Sequence, residues 1–119
     1  MLSATAKQAV NAAESDQRLS FLVFVHAGDE LRSIAKIPDV KERRQKIGAM
    51  YSRLKKPVFM GVKRYAPDGL RIVDELIGSP NMILSGPAHV WMRMIEDDTA
   101  LIRDPKLEII PGDREFVAL

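Results

Sequence analysis

The chain contains no cysteine. A disulfide framework, a thiolate zinc site and a thiol nucleophile are therefore excluded, and the composition suits a reducing compartment. Only two histidines occur, His26 and His89, too few for a histidine-rich metal centre. No apolar run approaches the roughly 20 residues that a membrane-spanning helix needs. There is no glycine-rich phosphate loop, no H-E-x-x-H and no G-x-S-x-G. Eighteen Lys and Arg against sixteen Asp and Glu leave a net charge of +2, far from the field of a typical nucleic-acid binder. From these absences we expect neither an enzyme nor a bound cofactor or metal.

What remains is enough for one domain. The 119 residues are 46% hydrophobic and 29% charged, a composition that builds a single core without staples. Residues 1–17 read as an N-terminal extension, helical or flexible. They are rich in alanine, which favours helix. Lys7, Gln8 and Asn11 interrupt the apolar positions, so there is no signal-peptide core, and a cytoplasmic location is expected.

Residues 18–119 read as the domain. Leu19–Ala27 is a β-branched and aromatic run whose pattern predicts a strand buried on both faces and central in its sheet. Gly28-Asp29 closes it, with Asp29 expected as the N-cap of a helix through Leu31, Ile34 and Ala35. Asp39 is expected to cap a second helix, with Val40, Ile47, Met50, Tyr51 and Leu54 on one stripe. Its other face carries Lys41, Glu42, Arg43, Arg44 and Lys46, followed by Arg53, Lys55 and Lys56, which read as a solvated surface with intrahelical pairing. Pro57 marks a break or kink, and Val58–Val62 fits either a short helix or irregular packing. Residues 38–66 thus form a long helical insert.

Pro67-Asp68-Gly69 is a turn. Leu70–Ile77 alternates with period two and predicts a strand, joined through Gly78-Ser79-Pro80-Asn81 to a short strand at Met82–Ser85. Gly86-Pro87 opens a helix in which Trp91, Met94, Ile95, Leu101 and Ile102 share a core-facing stripe. Asp104-Pro105 ends it, and Lys106–Ile110 is the last strand. This order predicts an α+β, ferredoxin-like βαββαβ sandwich: a four-stranded antiparallel sheet with its helices on one face. The uncovered face must then be polar or bind something.

Chemistry-bearing residues are sparse. Asp74 and Glu75 are adjacent on a predicted strand, where neighbours point to opposite faces, so they do not form a carboxylate dyad. Asp97 and Asp98 fall within the predicted helix. His26, at the end of the first strand, lacks a visible partner for general-base work.

The stretch Ile83-Leu84-Ser85-Gly86-Pro87-Ala88-His89, a helix, and then Ile102-Arg103-Asp104-Pro105-Lys106-Leu107-Glu108-Ile109-Ile110-Pro111-Gly112-Asp113-Arg114-Glu115 resembles the end of subtilisin-type propeptides, the I9-like peptidase inhibitor domains. The likeness extends loosely over residues 19–37 and is absent over 38–69. Leu107 stands where valine is commoner, and Gly112 separates the usual Pro-Asp pair. The resemblance implies a ferredoxin-like domain that binds and inhibits a subtilisin-like serine protease and acts as a chaperone for its folding. It implies that the tail Phe116, Val117, Ala118 and Leu119 occupies the substrate cleft like a product, with Phe116 and Leu119 in apolar pockets. It also implies that Asp74 or Glu75 supplies the acidic contact to protease helix N-termini. Two alternatives stay open: a dimeric ferredoxin-like module for a small molecule or partner protein, and a nucleic-acid binder using the basic helix. The second is disfavoured, because the strands lack an aromatic platform.

Overall fold

The computed structural model describes residues 1–112. Its architecture is α+β. Strands β1 (Arg18–Val25), β2 (Arg71–Asp74), β3 (Asn81–Pro87) and β4 (Leu107–Pro111) form one sheet in the order β2-β3-β1-β4. Every neighbouring pair is antiparallel, compatible with a ferredoxin-like sandwich. Among the described residues six α-helices accompany the strands: α1 (Ala4–Ala12), α2 (Asp29–Ala35), α3 (Val40–Leu54), α4 (Lys56–Tyr65), α5 (Ala88–Glu96) and α6 (Ala100–Arg103), with a short 3-10 turn at Ala66–Asp68.

The core lies between one sheet face and the helices. Phe21, Val23 and Val25 of β1, Met82 and Leu84 of β3, and Leu107 and Ile109 of β4 are all buried there. They are alternate residues on each strand, as the period of two requires. From the helices come Ala6 and Val10 of α1, Val58, Val62 and Tyr65 of α4, Val90, Trp91 and Met94 of α5, and Leu101 and Ile102 of α6. Burial of this apolar surface is the main force holding sheet and helices together.

The N-terminal segment is built into this layer. Ser3 caps α1, its hydroxyl accepting from the Ala6 amide at 3.1 Å. Leu2 bridges Ile109 in parallel, with Ser3 N donating to Ile109 O at 2.9 Å and Ile109 N to Met1 O at 3.1 Å. These bonds cover part of the outer edge of β4, an edge that would otherwise offer unpaired backbone groups.

Several local expectations change. Gly28, not Asp29, is the N-cap of α2, with φ +63°; the sharp turn out of β1 needs a left-handed residue, which glycine supplies without strain. Asp29 becomes the first helical residue, where its charge suits the helix dipole. Asp39 does cap α3, accepting from Lys41 N at 3.3 Å. On the expected stripe Met50 and Tyr51 are buried, but Val40 is 48% exposed. Helix α2 has no buried residue and α3 only those two, and neither Met50 nor Tyr51 belongs to the main core. The two helices pair with each other, with Glu30 of α2 ion-paired to Arg53 of α3.

Pro57 does mark a break: α3 ends at Leu54 and α4 starts at Lys56. The proline occupies the first turn of α4, where a missing N–H costs nothing. The helix expected to run from Gly86-Pro87 to Asp104-Pro105 is divided into α5 and α6. Asp98 adopts φ +49° between them, so Asp97 and Asp98 lie at the junction rather than within a helix. The second strand is shorter than its alternation suggests. β2 ends at Asp74, after an irregularity in its register between Ile72 and Asp74, and the chain then turns through Leu76, at φ +49°. Gly86 in β3 has a packing reason: a Cβ there would stand 3.0 Å from Leu70 Cδ1 and 3.4 Å from Trp91 Nε1.

Candidate functional site

The sheet face opposite the core is not covered by helices. The composition of β1 predicts burial on both sides; the strand is central, between β3 and β4, but only Phe21, Val23 and Val25 meet the core. Leu22 and Phe24 point the other way and are half-buried among their cross-strand neighbours. The register sets those neighbours. Leu22 stands opposite Ile83 on one side and Ile110 on the other, while Phe24 stands opposite Asn81 and Glu108. Ile110, Leu22 and Ile83 therefore form a continuous apolar row across three strands, and Asp74 faces Ile83 at its far end. Next to it runs the polar row of Ser20, Ser85 and Arg71. Arg18 ties this end down, donating to Gly69 O at 2.8 Å and to Ser85 O at 3.3 Å.

A sheet face with an apolar centre and a charged border is unusual for a surface facing only water. The border includes His26 and Glu108, 3.3 Å apart and both about half exposed, with the His26 ring edge-on to Phe24 at 4.8 Å. Glu108 is the partner that the sequence does not reveal for His26, because the pair meets across strands 82 residues apart. A contact so exposed contributes little to stability.

The two acidic candidates are brought near one another but differ in availability. Asp74 is exposed, yet its Oδ1 accepts from the Leu76 amide at 2.9 Å, closing a turn at the end of β2. Glu75 lies beyond the strand and is exposed; its backbone carbonyl is used internally, and its carboxylate makes no hydrogen bond or ion pair among the described residues. Of the two, Glu75 is the freer to meet a partner. The tail candidates Phe116, Val117, Ala118 and Leu119 lie outside the described residues.

The loop carrying Glu75 is fastened by a side chain that the residue pattern assigns to a solvated basic face. Lys55, at the junction of α3 and α4, is only 2% exposed. Its Nζ donates to Glu75 O at 2.9 Å and Leu76 O at 3.1 Å. No local pattern marks this role, since both acceptors are some 20 residues away in sequence. Burial pushes the Lys55 ammonium below the ordinary lysine range, while the charges of Glu75 and Asp74 pull in the opposite direction. A cation whose native pKa is lowered makes the native state shed its proton before the unfolded chain does. Between the two values the unfolded state binds more protons, so stability rises with pH across that window. Below it both states are protonated and the native state bears the full desolvation cost. The parent is accordingly expected to gain stability relative to Lys55→Met as pH is raised from neutral toward 10, in urea titrations of both proteins. A constant difference over that range contradicts this account of Lys55.

Most of the rest of the basic surface is a solvated face, although Arg43 is half-buried and donates to Ile37 O at 2.9 Å. Lys46 pairs with Glu42 one turn away at 3.4 Å, and Lys41 and Arg44 are exposed. Among the described residues no group of acidic or histidine side chains is arranged to hold a metal ion, and no helix is long and apolar enough to cross a membrane. No known protein family, curated protein or solved structure matches the chain.

Proposed function

We propose that this chain binds and inhibits a subtilisin-like serine protease, docking through the uncovered sheet face and laying Phe116–Leu119 along the substrate cleft like a retained product. The observation that carries the reading is the row Ile110–Leu22–Ile83, an apolar centre on a face with no helix over it. Such a row gains free energy when a partner removes it from water, at roughly 25 cal/mol per Å² of apolar area. Glu75 at its margin offers a carboxylate suited to a helix N-terminus. The resemblance of residues 83–119 to subtilisin-type propeptides supplies the class of partner. An extended segment adds the second half of the contact, with main-chain hydrogen bonds giving affinity and alternate side chains filling pockets.

The test is inhibition of a subtilisin-type protease by the purified chain, alongside Ile83→Lys. That substitution places a charge at the centre of the face, on a side that the fold leaves open, so circular dichroism should be unchanged. Affinity is expected to fall at least about tenfold, equivalent to about 1.4 kcal/mol. Unchanged potency of the variant removes the sheet face from the mechanism, and absence of inhibition by the parent removes the protease class.

The same row supports a second reading, in which the face meets a second copy of the chain around a two-fold axis. Sedimentation distinguishes the two. A stable dimer that Ile83→Lys converts to monomer, with no protease inhibition, favours the dimeric module.

A further inference from the structure

On the helical side of the molecule, away from the uncovered sheet face, α4 and α6 enclose a groove of about 340 Å³. Met60, Gly61 and Leu101 form its walls, together with Arg64, Tyr65 and Thr99. Two of these residues carry a hydroxyl that is sealed from solvent yet has no hydrogen-bond partner among the described residues: Tyr65 Oη and Thr99 Oγ1. Tyr65 itself is 6% exposed. Buried hydroxyls in native proteins are nearly always bonded, because an unmet one loses its hydration for nothing in return. Two such groups on one groove mark a place where the protein's own atoms leave hydrogen bonds to be completed by something else.

The surrounding groups restrict what that something is. Among the described residues, Arg64 is the one charged side chain on the groove. It is exposed, has no ion-pair partner among them, and its guanidinium lies over the Tyr65 ring, 5.6 Å from the centroid. A guanidinium and two hydroxyls can all donate, and no carboxylate is among the described residues lining the groove, so the complementary head is an anion with acceptor oxygens. One cation matches one negative charge. The remaining walls are apolar: Met60 is 64% exposed at the rim and able to adapt to different shapes. Gly61 lets α4 come close to α6; a Cβ there would already touch Leu101 Cδ2 at 3.5 Å. The volume lies at the small end of ligand sites.

We propose that this groove binds a small monocarboxylate with an apolar body, its carboxylate accepting from Tyr65, Thr99 and Arg64 while the body lies between Met60 and Leu101. Because the two hydroxyls are closed off from solvent, the head reaches them only when side chains lining the groove move aside. The site is independent of protease binding, and the two stand or fall separately.

Benzoate is the probe, with benzamide and inorganic phosphate as comparisons, read by amide chemical shifts of the isotope-labelled full chain. Saturable shifts with millimolar or tighter benzoate, centred on Gly61, Arg64 and Leu101, are expected. Benzamide, which lacks the charge, should bind at least about tenfold more weakly. Phosphate, which lacks the apolar body, should cause no saturable change there. Tyr65→Phe and Thr99→Val should each weaken benzoate at least about fivefold, while the melting temperature of Tyr65→Phe stays the same or rises, since an unmet hydroxyl has been removed. Absence of saturable shifts with benzoate overturns the proposal, as does equal binding of benzamide or unaltered affinity in both variants. A clear fall in the melting temperature of Tyr65→Phe also overturns it, because the hydroxyl would then have a partner within the protein.

Discussion

Under the proposed function, removal of Phe116–Leu119 is expected to weaken inhibition of a subtilisin-type protease by at least about a hundredfold, equivalent to roughly 3 kcal/mol. The magnitude follows from the side chains. Burying one phenylalanine and one leucine contributes about 1.5–3 kcal/mol each, and part of this is offset by ordering the segment in the cleft. Val117 and Ala118 are small enough to pass between the two pockets. The sheet face and the tail would touch different parts of the protease, so the effects of truncation and of Ile83→Lys should add. Inhibition constants for the parent, each variant and the combination test this directly. Equal potency of the parent and the truncated chain would remove the tail from the mechanism and leave only sheet docking. A combined loss well short of the sum would mean that the two segments act on one contact.

Trp91→Ala is expected to cost about 3–5 kcal/mol of stability, the largest loss from any single substitution considered. The side chain is fully buried. It meets Phe21 edge-on with ring centroids 4.7 Å apart, and its Nε1 donates to Leu19 O at 3.3 Å. One side chain thus joins α5 to the central strand through both an aromatic contact and a hydrogen bond. A domain of this size has only about 5–15 kcal/mol in total, so the variant should sit at or near the edge of folding. Trp91→Phe retains much of the packing but leaves Leu19 O without its donor, and should lose about 1–3 kcal/mol. Because Trp91 is the sole tryptophan, unfolding must be followed by far-UV circular dichroism rather than by intrinsic fluorescence. A loss below about 1 kcal/mol for Trp91→Ala would show that the core around Phe21 can close over the vacated space.

The elements with strong local signals are legible in the order of residues alone. The β-branched run Leu19–Val25 is a strand, Asp39 caps its helix, Pro67-Asp68-Gly69 turns, and the stripe of Trp91 and Met94 faces the core. Each depends on side chains within a few positions of one another, where periodicity and capping act. The features that differ from expectation depend on distant partners. Asp98 interrupts a helix whose apolar stripe continues on both sides of it. Leu70–Ile77 alternates throughout, yet only Arg71–Asp74 pairs with β3, because Lys55 claims the carbonyls of Glu75 and Leu76 for a different turn.

The candidate site divides along the same line. The acidic pair Asp74 and Glu75 is visible in the sequence as residues, but not that Asp74 spends one carboxylate oxygen on the Leu76 amide and leaves Glu75 freer. The apolar character of Leu22, Phe24, Ile83 and Ile110 is equally plain; what it means is not, since a strand apolar on both sides reads as one covered on both sides. Composition and spacing alone determined an α+β domain of alternating strands and helices, without thiol chemistry and with a small net charge, because those properties follow from residue type and local period. Only the tertiary structure decided which sheet face the helices cover, that a lysine lies beneath the loop after β2, and that two hydroxyls meet no partner among the described residues between α4 and α6. Those outcomes depend on which distant segments come together, and a linear pattern holds no record of that.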